Sequence, residues 1–210
     1  AMSFDFIHHG HMKILDEGRK YGKITLGLLT DKAISERKQI PYLNFEQRKK
    51  IAENLKGIEK VVKQEEWDYS SNIIKFKPDF FIHGDDWKKN DSNLRNKVIK
   101  ILSEYGGKLI EVPHTKNISS SSLKRGLYNI GISPDVRMSS LKRNLENKKI
   151  LRFIEAHSPL SAIITENLIL ESEGKKNFFN GFWSSSLTDS TLLGKPDIEA
   201  INIAQRLSNI

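Results

Sequence analysis

No cysteine occurs in the 210 residues, which excludes disulfide bridges and thiolate metal sites. Long apolar runs are missing as well. Nothing approaches the roughly 20 apolar residues that a membrane-spanning helix requires. Residues 1–15 show no apolar run behind a basic start, so no secretory leader is expected. There is no internal repeat, no basic tail and no recognisable nucleic-acid module. Together these absences point to a cytoplasmic protein with neither a membrane nor a nucleic acid as partner.

What is present is 38% hydrophobic, enough for one or two globular cores. Lys and Arg number 34 against 26 Asp and Glu, a net charge of +8. The lysines are scattered through helical segments. That spread suits a solvated basic surface, or one that attracts a polyanionic small molecule such as a triphosphate.

The strongest local signal is His8-His9-Gly10-His11, an H-x-G-H at the mouth of a helix. Helix N-termini carry unpaired N–H groups and partial positive charge, which favour phosphate. Gly10 permits close backbone approach, and imidazoles donate hydrogen bonds to phosphate oxygens. A metal site is the lesser reading of these histidines, because no carboxylate spacing accompanies them.

Periodicity then gives an alternating order. Helices are expected at 11–21, 45–56, 68–76 and 92–105, with Asn44 and Gln47 as a capping pair for the second. Short apolar strands are expected at 24–29, 59–62, 80–83 and 108–112, and 31–43 reads as a polar loop. Strand–helix alternation predicts an α/β, Rossmann-like parallel sheet with helices on both faces. Such sheets bind ligands beyond the carboxyl ends of their strands. Three groups fall at such junctions: the histidine loop, Gly84-Asp85-Asp86, and the serine run 119–122.

Each group has a plain alternative. Asp85 and Asp86 suit a nucleobase amine or a metal, and equally an acidic helix cap. Ile118-Ser119-Ser120-Ser121, with Lys124 and Arg125, offers hydroxyls, helix amides and cations for phosphates, and equally a serine-rich turn. Lys38 is placed to close over a triphosphate, or is a solvated loop lysine. His83 reads as a brace at a strand end, and His114 as a loop histidine near the serine run.

In this order the residues resemble a known family. Phe4-Asp5-Phe6-Ile7-His8-His9-Gly10-His11, His83-Gly84-Asp85-Asp86-Trp87 and Ile118-Ser119-Ser120-Ser121 look like the three signatures of the cytidylyltransferase-like nucleotidyltransferases, nearest the glycerol-phosphate and phosphonate types. The resemblance implies transfer of CMP from CTP to a phosphate or phosphonate acceptor, with Mg²⁺ and release of pyrophosphate. His8, His11, Lys38 and Arg125 would be catalytic. Phe4, Asp5, Gly10, Gly84, Asp85, Asp86, Ile118, Ser119, Ser120 and Ser121 would bind the nucleotide. An adenylyltransferase of the same fold and a catalytically inactive interaction module are the rival readings. In the family a β-strand precedes the histidine loop, whereas three residues precede the matching segment here. His114 also stands where glycerol-phosphate enzymes carry arginine.

The remainder resembles a second family. Glu155-Ala156-His157-Ser158-Pro159-Leu160-Ser161-Ala162 and Trp183-Ser184-Ser185-Ser186-Leu187, followed by Gly194-Lys195-Pro196-Asp197, look like the opening of phosphoenolpyruvate mutase. That implies a substrate site at Ser185, Ser186, Leu187 and Asp197, incomplete in this length of chain. The expected organisation is therefore a nucleotidyltransferase domain at 1–132, a helical linker at 133–156 and a truncated (β/α)-barrel start at 157–210. Exposed edges and apolar segments such as Ile163-Ile164 and Phe178-Phe179 predict self-association and low or no activity.

Overall fold

A computed structural model describes residues 1–113, 123, 133–148, 150–172, 175–198 and 200–207. The chain divides into two compact units, Ala1–Asn147 and Lys148–Ile210.

In the first unit the order is α1 (His9–Arg19), β1 (Ile24–Leu29), α2 (Asp31–Ser35), α3 (Phe45–Glu53), β2 (Ile58–Gln64), α4 (Ser70–Phe76), β3 (Phe80–Gly84), α5 (Trp87–Asn90), α6 (Ser92–Ser103), β4 (Lys108–Val112) and α7 (Pro134–Asn147). The apolar run at 24–29 is β1 as expected. Asn44 and Gln47 form their capping box on α3, each side chain accepting from the other's backbone N–H. The segment 31–43, expected to be loop throughout, contains α2. Thr30 caps it by accepting from Ala33 N–H at 3.2 Å.

The strands are parallel, but they form two pairs rather than one sheet. β1 pairs with β2, and β3 pairs with β4. The edge of β1 away from β2 is touched at one position among the described residues, where Met2 bridges Leu28. Met2 N–H donates to Gly27 C=O at 2.8 Å, and Leu29 N–H donates to Met2 C=O at 3.0 Å. A cavity of about 510 Å³ separates the two pairs, lined by Ile24–Gly27 of β1 and Phe80–Ile82 of β3. Periodicity predicts elements, whereas sheet continuity depends on which strands become neighbours, and here two edges stay apart. α1 still spans both pairs. A side chain at Gly18 would lie 3.2 Å from Ile24 Cδ1 and 3.4 Å from Ile82 Cδ1, so glycine lets the helix settle on both strands.

Two apolar cores lie beneath these elements. One gathers Phe4, Leu15, Leu26, Leu28 and Ala52, and the other Tyr69, Ile73, Trp87, Leu94, Val98, Ile101 and Leu102.

The second unit contains β5 (Phe153–Glu155), α8 (Pro159–Asn167), β6 (Ile169–Ser172), β7 (Lys175–Phe178), β8 (Gly181–Trp183), α9 (Ser186–Leu192) and α10 (Ile203–Leu207). β5 and β8 are parallel, and β6 and β7 form an antiparallel hairpin between them in sequence. One parallel pair is a βαβ step and does not establish a barrel. Within 133–156, read as a helical linker, the helix covers Pro134–Asn147 and a strand occupies Phe153–Glu155. No helix among the described residues is long and apolar enough to cross a membrane.

Candidate active site

The histidine loop is built by an unusual helix cap. α1 starts at His9, two residues before the expected position, because His8 itself is the N-cap. The His8 Nδ1 accepts from Gly10 N–H at 3.1 Å, and the His11 Nδ1 accepts from His8 N–H at 3.3 Å. This is a capping box made of two imidazoles instead of the usual hydroxyl and carboxamide. It has a chemical consequence. A neutral imidazole that accepts at Nδ1 carries its proton on Nε2. Both rings therefore present Nε2–H as a donor, their centroids 4.1 Å apart. The Gly10 amide, expected to face a phosphate, is already engaged by His8. The donor role passes from backbone to imidazole.

Phe4 holds this pair from below. Its ring is fully buried and stacks on His11 at 5.6 Å. Its backbone is left-handed, with φ of 54°, a costly conformation for a bulky residue that the surrounding core maintains. Burial, helped by His8 and Lys38, pulls the His11 pKa down to about 4. Lys38 is close enough to act on His11, and its ammonium also lies 5.3 Å from the Trp67 ring centroid.

The loop carrying Lys38 is fastened at its far end. Asp5 is buried, and its Oδ1 accepts from Leu43 N–H at 3.1 Å. Tyr42 meets Phe6 edge-to-face at 5.6 Å. Arg48, fully buried on α3, donates to Leu43 C=O at 3.2 Å, to Leu29 C=O at 2.8 Å and to Ser3 C=O. It also pairs with Asp31 at 2.6 Å. A buried guanidinium is tolerable only with its N–H groups satisfied, and here each partner is a piece of the site's frame. Sequence reasoning passed over Arg48. The signal was its place on the apolar stripe of α3, three residues after Phe45 and four before Ala52.

The second group sits at the end of β3. Asp85 N–H donates to Val112 C=O at 3.0 Å. The Asp86 Oδ1 lies 2.9 Å from where a Gly84 side chain would start, so glycine keeps that turn tight. Asp86 precedes α5 but makes no side-chain cap bond, which sets aside the capping alternative for it. His83 braces the strand end as expected. It stacks on Trp87 at 4.0 Å, its Nδ1 donates to Gly84 C=O at 2.8 Å, and its Nε2 accepts from the Tyr69 hydroxyl at 3.3 Å. Burial pulls His83 down to about 4 and pushes the Tyr69 phenol up. Glu111 on β4 completes the brace, accepting from Trp87 Nε1 at 2.9 Å and Arg95 Nε at 2.8 Å and pairing with Lys88 at 3.0 Å. Chiefly through Arg95, its carboxyl is held down at about 2. An Arg37–Asp91 ion pair of 2.7 Å links the Lys38 loop to the segment following this turn.

His114, Ile118, Ser119, Ser120, Ser121, Lys124 and Arg125 lie outside the described residues. Ser185, Ser186, Leu187 and Asp197 belong to the second unit. The expected small-residue loop is shorter there, because Ser185 caps α9 and Ser186 and Leu187 are already helical. Among the described residues no three His, Asp or Glu side chains converge on a metal position.

A family model described as cytidylyltransferase-like matches residues 3–126. A glycerol-3-phosphate cytidylyltransferase of Bacillus spizizenii is 30% identical over 130 residues, covering 61% of this chain and 94% of that protein. An FAD synthase of Archaeoglobus fulgidus is 28% identical over 133 residues, covering 50% of this chain and 97% of that protein. Among solved structures, a lipopolysaccharide core biosynthesis protein of Thermoplasma volcanium aligns with a TM-score of 0.45 and 24% identity, over 56% of this chain and 93% of that one.

Proposed function

The chain belongs to the cytidylyltransferase-like family of nucleotidyltransferases, and from that premise we propose that it transfers CMP from CTP to a small phosphate or phosphonate acceptor. The acceptor oxygen attacks the α-phosphorus, the bond to the bridging β-oxygen breaks, and pyrophosphate leaves. Little covalent work falls to the protein in such a transfer, and positioned charge does most of it.

The paired Nε2–H donors of His8 and His11 carry this reading. Fixed by their Nδ1 bonds, they need no reorganisation as charge builds on the α-phosphate oxygens. Lys38 neutralises the triphosphate from its loop. Arg125 and the serines 119–121, with Ile118, grip the phosphates from the third signature. The turn at Gly84 lets Asp85 and Asp86 approach the base amine. The Phe4 ring and Asp5 act beneath the ligand, one holding His11 and the other the Leu43 end of the loop. Mg²⁺ enters as part of the nucleotide substrate and offsets phosphate charge. Mg²⁺ is commonly held through substrate phosphates and one or two carboxylates, a role open to Asp85 or Asp86.

The domain reading accompanies it: catalysis in 1–132, a connector at 133–156, and a mutase-like fragment at 157–210 with Ser185, Ser186, Leu187 and Asp197 as its incomplete site. This fragment is the reason for keeping phosphonates in the acceptor class. A homo-oligomer in the cytoplasm is the expected assembly.

Adenylyl transfer is the second reading, favoured by the likeness to an FAD synthase. Thermal shift with Mg²⁺ and CTP against Mg²⁺ and ATP separates the two, and pyrophosphate release with glycerol 3-phosphate or a phosphonate then sorts acceptors. A larger shift with CTP is expected. Equal shifts, or none, reject the cytidylyl assignment.

A further inference from the structure

The family match ends at residue 126, yet a helix beyond it reaches the loop that carries Lys38. α7 buries none of its residues, and Met138, Leu141 and Leu145 are largely exposed. Apolar packing therefore does not dock this helix. Polar contacts do. Arg143 donates to Tyr42 C=O at 2.8 Å and to Asp31 Oδ2 at 3.0 Å, with both charged side chains mostly shielded from solvent. Farther along, the Asn147 carbonyl accepts from the Ser35 hydroxyl at 3.1 Å.

Asp31 is thus shared. One oxygen takes Arg48 from inside, and the other takes Arg143 from outside. The two arginines also hold adjacent carbonyls, Arg143 that of Tyr42 and Arg48 that of Leu43, while Asp5 holds the Leu43 N–H. Three side chains from three places fix two consecutive peptide units. Lys38 lies four residues upstream in the same loop, within electrostatic reach of His11.

We propose that Arg143 is a positioning residue for the 37–43 loop, which makes α7 a working part of the nucleotidyl-transfer unit. Arg48 and Asp5 hold this end of the loop from one side and Arg143 holds it from α7, so that together they set how Lys38, four residues upstream, stands towards the histidines. A fork is needed, because one guanidinium must reach a carbonyl and a carboxylate at once. A lysine ammonium is a point charge and satisfies that geometry poorly. The part concerning catalysis rests on the role given to Lys38 above, whereas the part concerning the loop does not.

The test uses the 210-residue chain with Arg143→Met and Arg143→Lys, and Met138→Ser as a control on the exposed face of the same helix. Because Asp31 keeps Arg48, both Arg143 variants are expected to fold. Without nucleotide, amide exchange at residues 37–43 speeds up about tenfold in Arg143→Met, as expected when a charge-assisted brace is lost, and less in Arg143→Lys. With CTP, the KM of Arg143→Met rises about tenfold with a smaller change in kcat, and adding Lys38→Ala costs less than the two single losses combined. Unchanged exchange in a folded Arg143→Met overturns the proposal, as does an equal acceleration in Met138→Ser. Faster exchange at 37–43, with no CMP transfer by the unaltered protein, supports the positioning role and rejects the cytidylyl reading instead.

Discussion

The two units handle apolar residues in opposite ways. Among the described residues, the first unit supplies 16 of the buried hydrophobic side chains and the second only two, Ala156 and Ile201. The second instead exposes Ile163, Ile164, Leu170, Trp183, Leu187, Ile198 and Ile203, each by more than half of its surface. Its order comes from local polar devices. Ser158 and Ser161 cap α8, Ser185 caps α9, and Arg206 reaches both Asp189 and the Ser184 carbonyl. The first unit has a core that supports a strained turn at Phe4 and a buried arginine. Among its described residues the second has caps but little core, and caps alone contribute about 1 kcal/mol each. Stability and chemistry should therefore both reside in the first unit.

Breaking that contrast begins with Arg48. Arg48→Met removes the partner of three carbonyls and half the pairing of Asp31. Losing one member of such a buried network costs about 3–5 kcal/mol. Urea denaturation should show that loss, and the site should collapse with it. A loss below about 1 kcal/mol would mean that the frame around Ser3, Leu29 and Leu43 is held by packing alone.

Next comes His11→Ala. Losing one fixed donor to a developing anion lowers turnover by about 10²–10³, with a smaller effect on CTP binding. Stopped assays at saturating CTP measure it. Unchanged turnover would make His11 a capping residue only, a role its Nδ1 already performs.

Acid should strain the first unit before the second. Burial holds His11 and His83 near 4, below the roughly 6.5 of an unfolded imidazole. As pH falls the unfolded chain takes up protons first. Stability from these groups is complete above about 6.5 and is lost as pH drops towards 4. Glu111, held near 2 by Arg95, adds a second limb, complete above about 4.5 and lost as pH falls through 2. Melting temperature against pH shows both limbs, and His83→Gln should shrink the first. A flat profile between 7 and 4 would place these imidazoles in water.

Much of the first unit is legible in the sequence. β1 is read at both ends because its apolar run is continuous, and the Asn44–Gln47 cap because its two members sit at fixed spacing. The motif singles out His8 and His11, whereas Lys38 enters only through the family resemblance, its local sequence suiting a solvated loop lysine equally. The double imidazole cap is not legible, because histidine is an uncommon N-cap and only geometry shows which ring nitrogen is engaged. Nor is the inward turn of the Phe4 ring, which depends on a positive φ. The split into two strand pairs is hidden for another reason. Local pattern identifies strands, whereas pairing joins residues far apart in sequence, such as Thr25 with Lys60 and Phe80 with Lys108. Arg143 is invisible because a charged residue on a charged helix looks like any solvated face.

The smallest effect tests the second unit. Trp183 is 67% exposed, so Trp183→Ser removes little burial within one chain. Exposed substitutions usually change stability by less than about 0.5 kcal/mol. Yet β5 and β8 together present Phe153, Ile154, Phe182 and Trp183, four large apolar side chains on a short parallel pair. Strand alternation sets Phe153 with Trp183 on one face and Ile154 with Phe182 on the other, and paired apolar exposure of that kind marks a surface that associates. Trp183→Ser should therefore leave the melting temperature unchanged while lowering the apparent mass seen by light scattering at high concentration. A drop of several degrees with unchanged mass would reverse the argument. It would mean that Trp183 is packed within its own unit, and that the second unit has a core after all.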